Sequence, residues 1–165
     1  MSRSPEFHLE RNPDASSMNW SELLALLHRS FAYMDGRIDP PSSLHRLDPN
    51  SLAQKARFET LVIARHNNQI VGCMFCREEG AFLYVGKVAV EPEYQGKGLG
   101  LLLFDNAFQL AKQQGLMGLE LECRVELTEN HATFEKMGFV KVGESAHDGF
   151  DRPTSISMRA VTEPL

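Results

Sequence analysis

The sequence predicts an α/β (α+β) fold with a central mixed and mostly antiparallel sheet flanked by about four helices. Three strand-like runs follow one another with short polar turns between them, which is typical of an antiparallel meander. A long amphipathic helix follows the third run and leads to another strand, and strands joined through a helix pair in parallel. The chain has 165 residues, the length of one domain. We therefore expect residues 1–165 to form a single domain.

The first forty residues predict one helix. Residues 1–16 are polar and without a clear period, so we expect either a tail or an edge segment. Asn19 is placed to cap the helix, with Glu22 three residues later as the second member of a capping box. Apolar residues then recur at helical spacing until Gly36, which favours a stop.

A second, short helix and the meander come next. Asp48 followed by Pro49 is typical of a helix start, and we expect this helix to end near Phe58. The runs that follow are rich in apolar and β-branched residues and are separated by turn compositions. The predicted meander strands are residues 60–66, 70–77 and 81–90.

The second half of the chain alternates helices and strands. An apolar stripe predicts a long amphipathic helix from Leu99 to about Gly115. The remaining predicted elements are a strand over residues 116–125, a short helix over 130–137 and a final strand pair over 139–142 and 154–160.

Composition excludes several classes of function. The chain carries 17 Lys and Arg against 22 Asp and Glu, a formal net charge of -5, which argues against nucleic acid as a partner. No segment approaches the roughly 18 apolar residues of a transmembrane helix, and the first residues lack the apolar run of a signal peptide. The three cysteines are an odd number, and Cys73 and Cys76 should point to opposite faces of one strand. We therefore expect a cytoplasmic protein without a membrane partner, with core thiols and no metal.

Alternating glycines mark the junction between the third meander strand and the long helix. Gly96, Gly98 and Gly100 let the backbone approach a ligand, and the first N–H groups of a helix can donate to a phosphate. Lys97 adds a positive charge, but it is followed by glycine rather than Ser or Thr, so the loop is not a Walker loop. Leu101 stands where a dinucleotide fingerprint needs glycine. The alternative is a turn that serves only close packing.

The segment Gln95-Gly96-Lys97-Gly98-Leu99-Gly100 resembles the central motif of the GNAT superfamily, Gln/Arg-x-x-Gly-x-Gly/Ala. The resemblance covers about residues 83–139 and implies a GNAT-like fold and acetyl-CoA as co-substrate. It implies that the backbone amides of 95–100 hold the pyrophosphate and that main-chain groups of the preceding strand pair with the pantetheine arm. The cofactor-binding residues implied are Val88, Ala89, Val90, Gln95, Gly96, Lys97, Gly98, Leu99, Gly100, Asn130 and Phe134.

The resemblance also implies direct acetyl transfer to a primary amine, either of a small molecule or of a protein. An amine with a pKa near 10.4 must lose a proton before it can attack, and Glu122 stands where one branch of the family has its general base. The alternative for Glu122 is an ion pair with Arg124 or a place on the rim. The backbone N–H of Val90 is the family-like donor to the thioester oxygen.

Phe134 departs from the family pattern. Many members have a tyrosine there that protonates the departing thiolate, which phenylalanine cannot do. Tyr84 is our candidate replacement, with His131, Thr133 and Tyr33 as alternatives. The same departure supports a second hypothesis, a non-catalytic domain that binds or senses acyl-CoA.

The acceptor side is predicted from the loop after the first helix and from charge. Tyr33, Asp35, Arg37 and Asp39 lie in a region that borders the acceptor cleft in proteins of this resemblance, and residues 147–152 are a second candidate. An acidic chain suits a cationic amine better than an anionic one. We therefore expect a cationic amine acceptor, and the sequence leaves a homodimer open.

Overall fold

The computed structural model describes residues 6–162. This part of the chain contains seven strands and four α-helices, and short 3₁₀ turns connect several of them. In order they are β1 (His8–Arg11), α1 (Trp20–Phe31), α2 (Pro49–Phe58), β2 (Thr60–His66), β3 (Gln69–Glu79), β4 (Phe82–Val90), α3 (Leu99–Gln113), β5 (Gly118–Arg124), α4 (Thr128–Lys136), β6 (Val140–Ser145) and β7 (Ser155–Val161).

The strands form one mixed sheet in the order β1-β2-β3-β4-β5-β7-β6. Neighbouring strands are antiparallel except β4 and β5, which pair in parallel across the α3 crossover. The predicted fold class is thereby confirmed. Within residues 6–162 no helix is both long and apolar enough to cross a membrane.

The amino-terminal segment supplies an edge strand. β1 pairs with β2, so this part of residues 1–16 is the edge segment rather than a tail, while residues 1–5 lie outside the described part of the chain. Asn19 caps α1 by accepting the N–H of Glu22. The reciprocal half of the predicted capping box is wrong, because the Glu22 carboxylate accepts the N–H of Ile70 on β3 at 3.0 Å.

The structure defines the bounds of the two helices in the first sixty residues. α1 ends at Phe31 and a 3₁₀ turn follows, so the helix stops before Gly36, which lies at φ +77 in the connecting loop. α2 begins at Pro49, where Asp48 and Ser51 form a reciprocal capping box, and it ends at Phe58 as predicted.

The sheet separates two apolar layers. On one face α1 and α2 cover Leu61, Ile63 and Phe75, and on the other face α3 covers Val62 and Met74. Alternate residues of β2 therefore enter different layers, as a strand covered on both faces requires. Cys73 packs in the first layer and Cys76 in the second, which confirms that they occupy opposite faces.

A β-bulge and a strand divergence shape the middle of the sheet. Between Cys73 and Phe75 the register against β4 shifts, so that Gly86 and Ala89 bracket an extra residue on β4. Lys87, inside this bulge, has φ +51. The parallel pairing of β4 with β5 covers only Phe82–Tyr84 against Gly118–Glu120. Beyond Tyr84 the β4 backbone is not paired with β5, and a gap opens between the two strands.

Candidate functional site

The turn over residues 95–100, which we call the glycine turn, leaves the start of α3 without a side-chain cap. Gly98 is the N-cap residue, at φ +86, and no side chain caps the helix. Gly96 lies at φ +78, so both positions use the left-handed region that glycine tolerates best. A Cβ atom added at Gly96, Gly98 or Gly100 would meet nothing within 4 Å. Close packing therefore does not explain these glycines, and the exposed helix start has the geometry of an anion site.

The turn borders a cleft of about 460 Å³, which we call the turn cleft. Residues of β4 and of the turn form one side, and residues of α4 form the other. Of the predicted cofactor-binding residues, the turn cleft brings together Val88, Val90, Gln95, Gly96, Gly100, Asn130 and Phe134.

Four predicted cofactor-binding residues do not line the turn cleft with their side chains. Ala89 and Leu99 are each 1% exposed and belong to the two apolar layers. Lys97 and Gly98 are exposed on the turn itself. Any contact from Ala89 or Leu99 must therefore be made by the backbone, as the resemblance implies.

A second cleft, of about 440 Å³, lies in the gap between β4 and β5, and we call it the gap cleft. Tyr84–Val88 of β4 and Leu121–Arg124 of β5 form its two sides. The two clefts share a wall, so a ligand bound in the turn cleft can reach into the gap cleft. The shared residues are Phe31, Tyr33, Val88, Phe104, Asn130 and Phe134.

Two of the predicted catalytic residues lie in the gap cleft. Glu122 is exposed there, and the alternative of an ion pair with Arg124 is wrong. The Arg124 guanidinium donates instead to the carbonyl oxygens of Pro40 and Pro41, at 2.7 and 3.2 Å. Glu120, on the same face of β5 as Glu122, is bound to Arg159 at 2.7 Å. Glu122 is thus the carboxylate of this strand that faces the cleft without a cationic partner among the described residues.

Tyr84 is the hydroxyl of β4 nearest the gap cleft, and its ring lies 4.2 Å from the Arg77 guanidinium carbon. Burial raises the pKa of Tyr84 to about 12, and the charge of Glu122 adds to the shift. The phenol is therefore protonated at neutral pH and is a weaker acid than an ordinary tyrosine.

The third predicted catalytic group, the Val90 N–H, already has a partner. It donates to the hydroxyl of Ser30, a buried residue of α1, at 3.2 Å. The side-chain amide of Gln95 donates to the carbonyl of Val90 at 3.4 Å. The sequence did not single out Ser30, because the contact depends on how α1 packs against β4.

The aromatic residue at the tyrosine position is packed among other rings. Phe134 lies 5.8 Å from both Phe104 and Phe139, measured between ring centroids. His131, an alternative acid, uses its Nε2 in a hydrogen bond with the carbonyl of Arg124 at 2.8 Å.

The predicted acceptor residues divide into one that reaches the clefts and three that do not. Tyr33 lines both, and its hydroxyl accepts the Asn130 amide at 2.9 Å. The other three are not among the residues that line either cleft, and each is bound to another charged residue, so their contact with the acceptor stays a prediction. Asp35 contacts His45 at 3.1 Å, Arg37 contacts Glu129 at 2.6 Å, and Asp39 contacts Arg152 at 3.5 Å.

The charge of the gap cleft differs from the prediction. Among residues 6–162, five cationic side chains and one carboxylate, Glu122, line it, which does not favour a cationic acceptor. Lys87 is one of these cations. Burial, together with the positive charges of Lys55, Arg124 and Arg46, lowers the pKa of Lys87 to about 8. The strand pattern did not identify Lys87, because its position depends on the bulge. Among the described residues, no group of three or more His, Cys, Asp or Glu side chains could hold a metal ion.

Two proteins named as acetyltransferases are similar to this chain in sequence. The chain is 32% identical over 126 residues to the IAA acetyltransferase of Azospirillum brasilense, a match that covers 74% of this chain and 80% of that protein. It is 36% identical over 76 residues to the ribosomal protein bS18 alanine N-acetyltransferase of Haemophilus influenzae, across 46% of this chain and 51% of that protein.

Solved structures share the fold. A proposed streptothricin acetyltransferase from Bacillus anthracis, in complex with acetyl coenzyme A, matches with a TM-score of 0.58 and 25% identity over 62% of each chain, less than two thirds of either. The PaiA N-acetyltransferase of Thermoplasma acidophilum, in complex with coenzyme A, matches with a TM-score of 0.75 and 13% identity, over 94% of this chain and 99% of that one.

The family model for the acetyltransferase (GNAT) family matches residues 20–139, more than half of the chain. This segment contains the glycine turn, the open start of α3, and the strands β4 and β5 that diverge beside it. The protein is therefore a GNAT acetyltransferase and belongs to the acetyltransferase (GNAT) family.

Proposed function

We propose that this protein transfers the acetyl group of acetyl-CoA to a primary amine by direct attack of the amine on the thioester. The observation that carries the proposal is the shared wall between the two clefts. An anion site at the glycine turn lies at one end, and an unpaired carboxylate lies at the other. Acetyl-CoA is the ligand that needs both a pyrophosphate site and an extended arm reaching a proton acceptor.

The glycine turn supplies the pyrophosphate contacts. The Gln95 N–H donates to the Pro92 carbonyl oxygen at 3.3 Å, so the pyrophosphate contacts fall to the backbone amides of Gly96 to Gly100. At this exposed helix start a phosphate gains both hydrogen bonds and the favourable end of the helix dipole. Lys97 adds charge at the same exposed turn. The β4 backbone from Val88 to Val90, beyond the pairing with β5, can bind an extended pantetheine arm as an added strand would.

Glu122 takes the proton from the attacking amine, directly or through one water. It lines the gap cleft, and no described cation neutralises it. The Val90 N–H stabilises charge on the thioester oxygen once it exchanges its bond with Ser30 for one with the substrate. Tyr84 donates a proton to the departing thiolate, a task that Phe134 lacks the group to perform.

A thiol-release assay tests the proposal. With acetyl-CoA and a wide panel of primary amines, CoA should be released at a rate that depends on the acceptor. A thermal-shift titration of the same preparation should show that acetyl-CoA binds. Binding without acceptor-dependent release across the panel would overturn the proposal and leave the binding or sensing function.

A further inference from the structure

The gap cleft carries positive charge in a chain whose net charge is -5. Of the carboxylates in the described part of the chain, Glu122 alone lines it. The cationic side chains that line it are Arg46, Lys55, Arg77, Lys87 and Arg124.

Two of these cations are neutralised within the protein. Lys55 contacts Glu59 at 2.7 Å, and Arg77 contacts Glu79 at 2.8 Å. These pairs lie on α2, β3 and the short link after α2. They neutralise Lys55 and Arg77 only, so the positive charges of the other three cations remain.

Lys87 and Arg124 face the cleft from opposite sides with neutral partners. The Lys87 ammonium donates to the hydroxyl of Ser43 at 2.8 Å. The Arg124 guanidinium donates to two proline carbonyl oxygens. Neither contact supplies a negative charge, and both side chains are partly buried. The charges of Glu126, Asp39 and Glu122 act on Arg124, and that of Glu59 acts on Lys87, without an ion pair to either cation among the described residues. A ligand oxyanion in direct contact would stabilise both partly buried charges further.

The bulge places Lys87 in the cleft. The extra residue on β4 gives the Lys87 backbone a left-handed conformation, at φ +51. This conformation is uncommon for residues other than glycine, asparagine and aspartate. Bulges beside active sites commonly redirect a side chain. Burial is the main cause of the lowered pKa of Lys87, the neighbouring cations add to it, and the charge of Glu59 offsets part of it.

We propose that the acceptor amine also carries an oxyanion, a carboxylate or a phosphoryl group, which Lys87 and Arg124 bind in the gap cleft with Arg46 at its rim. This inference rests on the proposed function. The amine would lie toward Glu122 and the oxyanion toward Lys87. A cleft of about 440 Å³ has room for a small molecule of this class.

Matched acceptors test the charge preference. Each common amino acid is assayed beside its carboxamide, together with aminoalkyl phosphonates and spermidine. For the preferred acceptor, kcat/KM for the acid or the phosphonate should exceed that for the neutral amide by about tenfold or more, as expected for a lost charge-assisted contact. Comparison of carboxylate with phosphonate acceptors identifies which oxyanion is bound.

Variants of Lys87 assign the effect to this residue. Lys87→Gln should bring the ratio of kcat/KM for the acid to kcat/KM for the amide close to one. Lys87→Arg keeps the positive charge and should keep the preference for the acid. Lys141→Gln, on β6 and paired with Glu144 outside the cleft, is the matched control and should keep the wild-type ratio. An unchanged thermal shift with acetyl-CoA shows that each variant is folded and binds the donor.

Three results would overturn the inference, and they are distinguishable. If the wild type turns over amides or spermidine as well as it turns over acids, the anion site is wrong and the acetyltransferase proposal stands. If the ratio survives in Lys87→Gln, the residue assignment is wrong. If no acceptor releases CoA from a protein that binds acetyl-CoA, the proposed function fails and the inference fails with it.

Discussion

The backbone N–H of Val90 donates to the hydroxyl of Ser30, 3.2 Å away, where the end of β4 meets α1. Ser30 is only 6% exposed, and both Ser30 and Val90 line the turn cleft, so this partly buried hydrogen bond lies at the cleft wall. In the proposed reaction the same N–H stabilises charge on the thioester oxygen. Ser30 is then a partner that holds the donor in place until the substrate arrives.

Replacing Ser30 should destabilise the free protein more than the complex. In Ser30→Ala the Val90 N–H loses its partner, and the loss of one hydrogen bond costs about 0.5–1.5 kcal/mol. Acetyl-CoA can offer a carbonyl oxygen in exchange. The melting temperature of the free variant should fall, and its increase on adding acetyl-CoA should exceed that of the wild type.

Ser21→Ala is the control for this prediction, because Ser21 lies on the exposed face of the same helix. It should leave both melting temperatures within error of the wild type. An equal acetyl-CoA shift in Ser30→Ala and the wild type would contradict the role given to the Val90 N–H.

The glycine turn is tested by adding bulk and negative charge where the pyrophosphate should lie. In the wild type, acetyl-CoA at 100-fold above its Kd should stabilise the fold by about 2.7 kcal/mol. Gly98→Asp should abolish that shift, because a carboxylate would stand at the open start of α3.

The matched control is Gly80→Asp, at a turn between β3 and β4. Gly80 also has positive φ and open space for a Cβ atom, so the backbone strain is similar. This variant should lose stability without losing the acetyl-CoA shift. A full shift in Gly98→Asp would place the donor elsewhere.

Much of this site follows from local sequence signals. The capping of α2 and the bounds of β2 depend on neighbouring residues alone, and both were predicted correctly. The glycine turn was also recognisable, because a strand end, three glycines and a helix start are contiguous. Alternation along β5 placed Glu120 and Glu122 on one face, opposite the buried Leu119 and Leu121.

The features of the site that the sequence did not predict depend on contacts between segments distant in the chain. The bulge that positions Lys87 arises from the register between β3 and β4, which alternation cannot reveal. Asp35 and Asp39 were predicted to face the acceptor, but they pair with His45 and Arg152 and are not among the residues that line either cleft. Net charge was misleading for the same reason, because a cleft collects side chains from several elements and need not share the sign of the whole chain.

The general base is tested by removing one charge from β5. Glu122→Gln keeps the size of the side chain and removes its ability to accept a proton, so kcat should fall about 10²–10⁴-fold while acetyl-CoA binding persists. Glu120→Gln is the control on the same face of the strand, where the carboxylate is already bound to Arg159. Similar losses in the two variants would show that the effect comes from the strand and not from the proton acceptor.

The proton donor is tested by moving the hydroxyl across the site. Tyr84→Phe should lower kcat by about tenfold, less than loss of the base, because a thiolate leaves readily without help. Phe134→Tyr, on the shared wall of both clefts, should restore part of the rate in the double variant. A wild-type rate in Tyr84→Phe would contradict this role and would show that solvent protonates the thiolate.

Binding of an anionic acceptor should depend on the protonation of Lys87. Because the pKa of Lys87 is lowered to about 8, the side chain is charged below that pH and loses its charge as the pH rises through it. A bound oxyanion favours the charged form, so the loss of Lys87 charge should appear as a rise in KM above pH 8 rather than as a fall in kcat. Lys87→Arg stays charged over this range, and the ratio of its kcat/KM to that of the wild type, for one acceptor, cancels the titration of the amine. That ratio should increase as the pH passes 8, and a ratio independent of pH would show that Lys87 does not bind the acceptor.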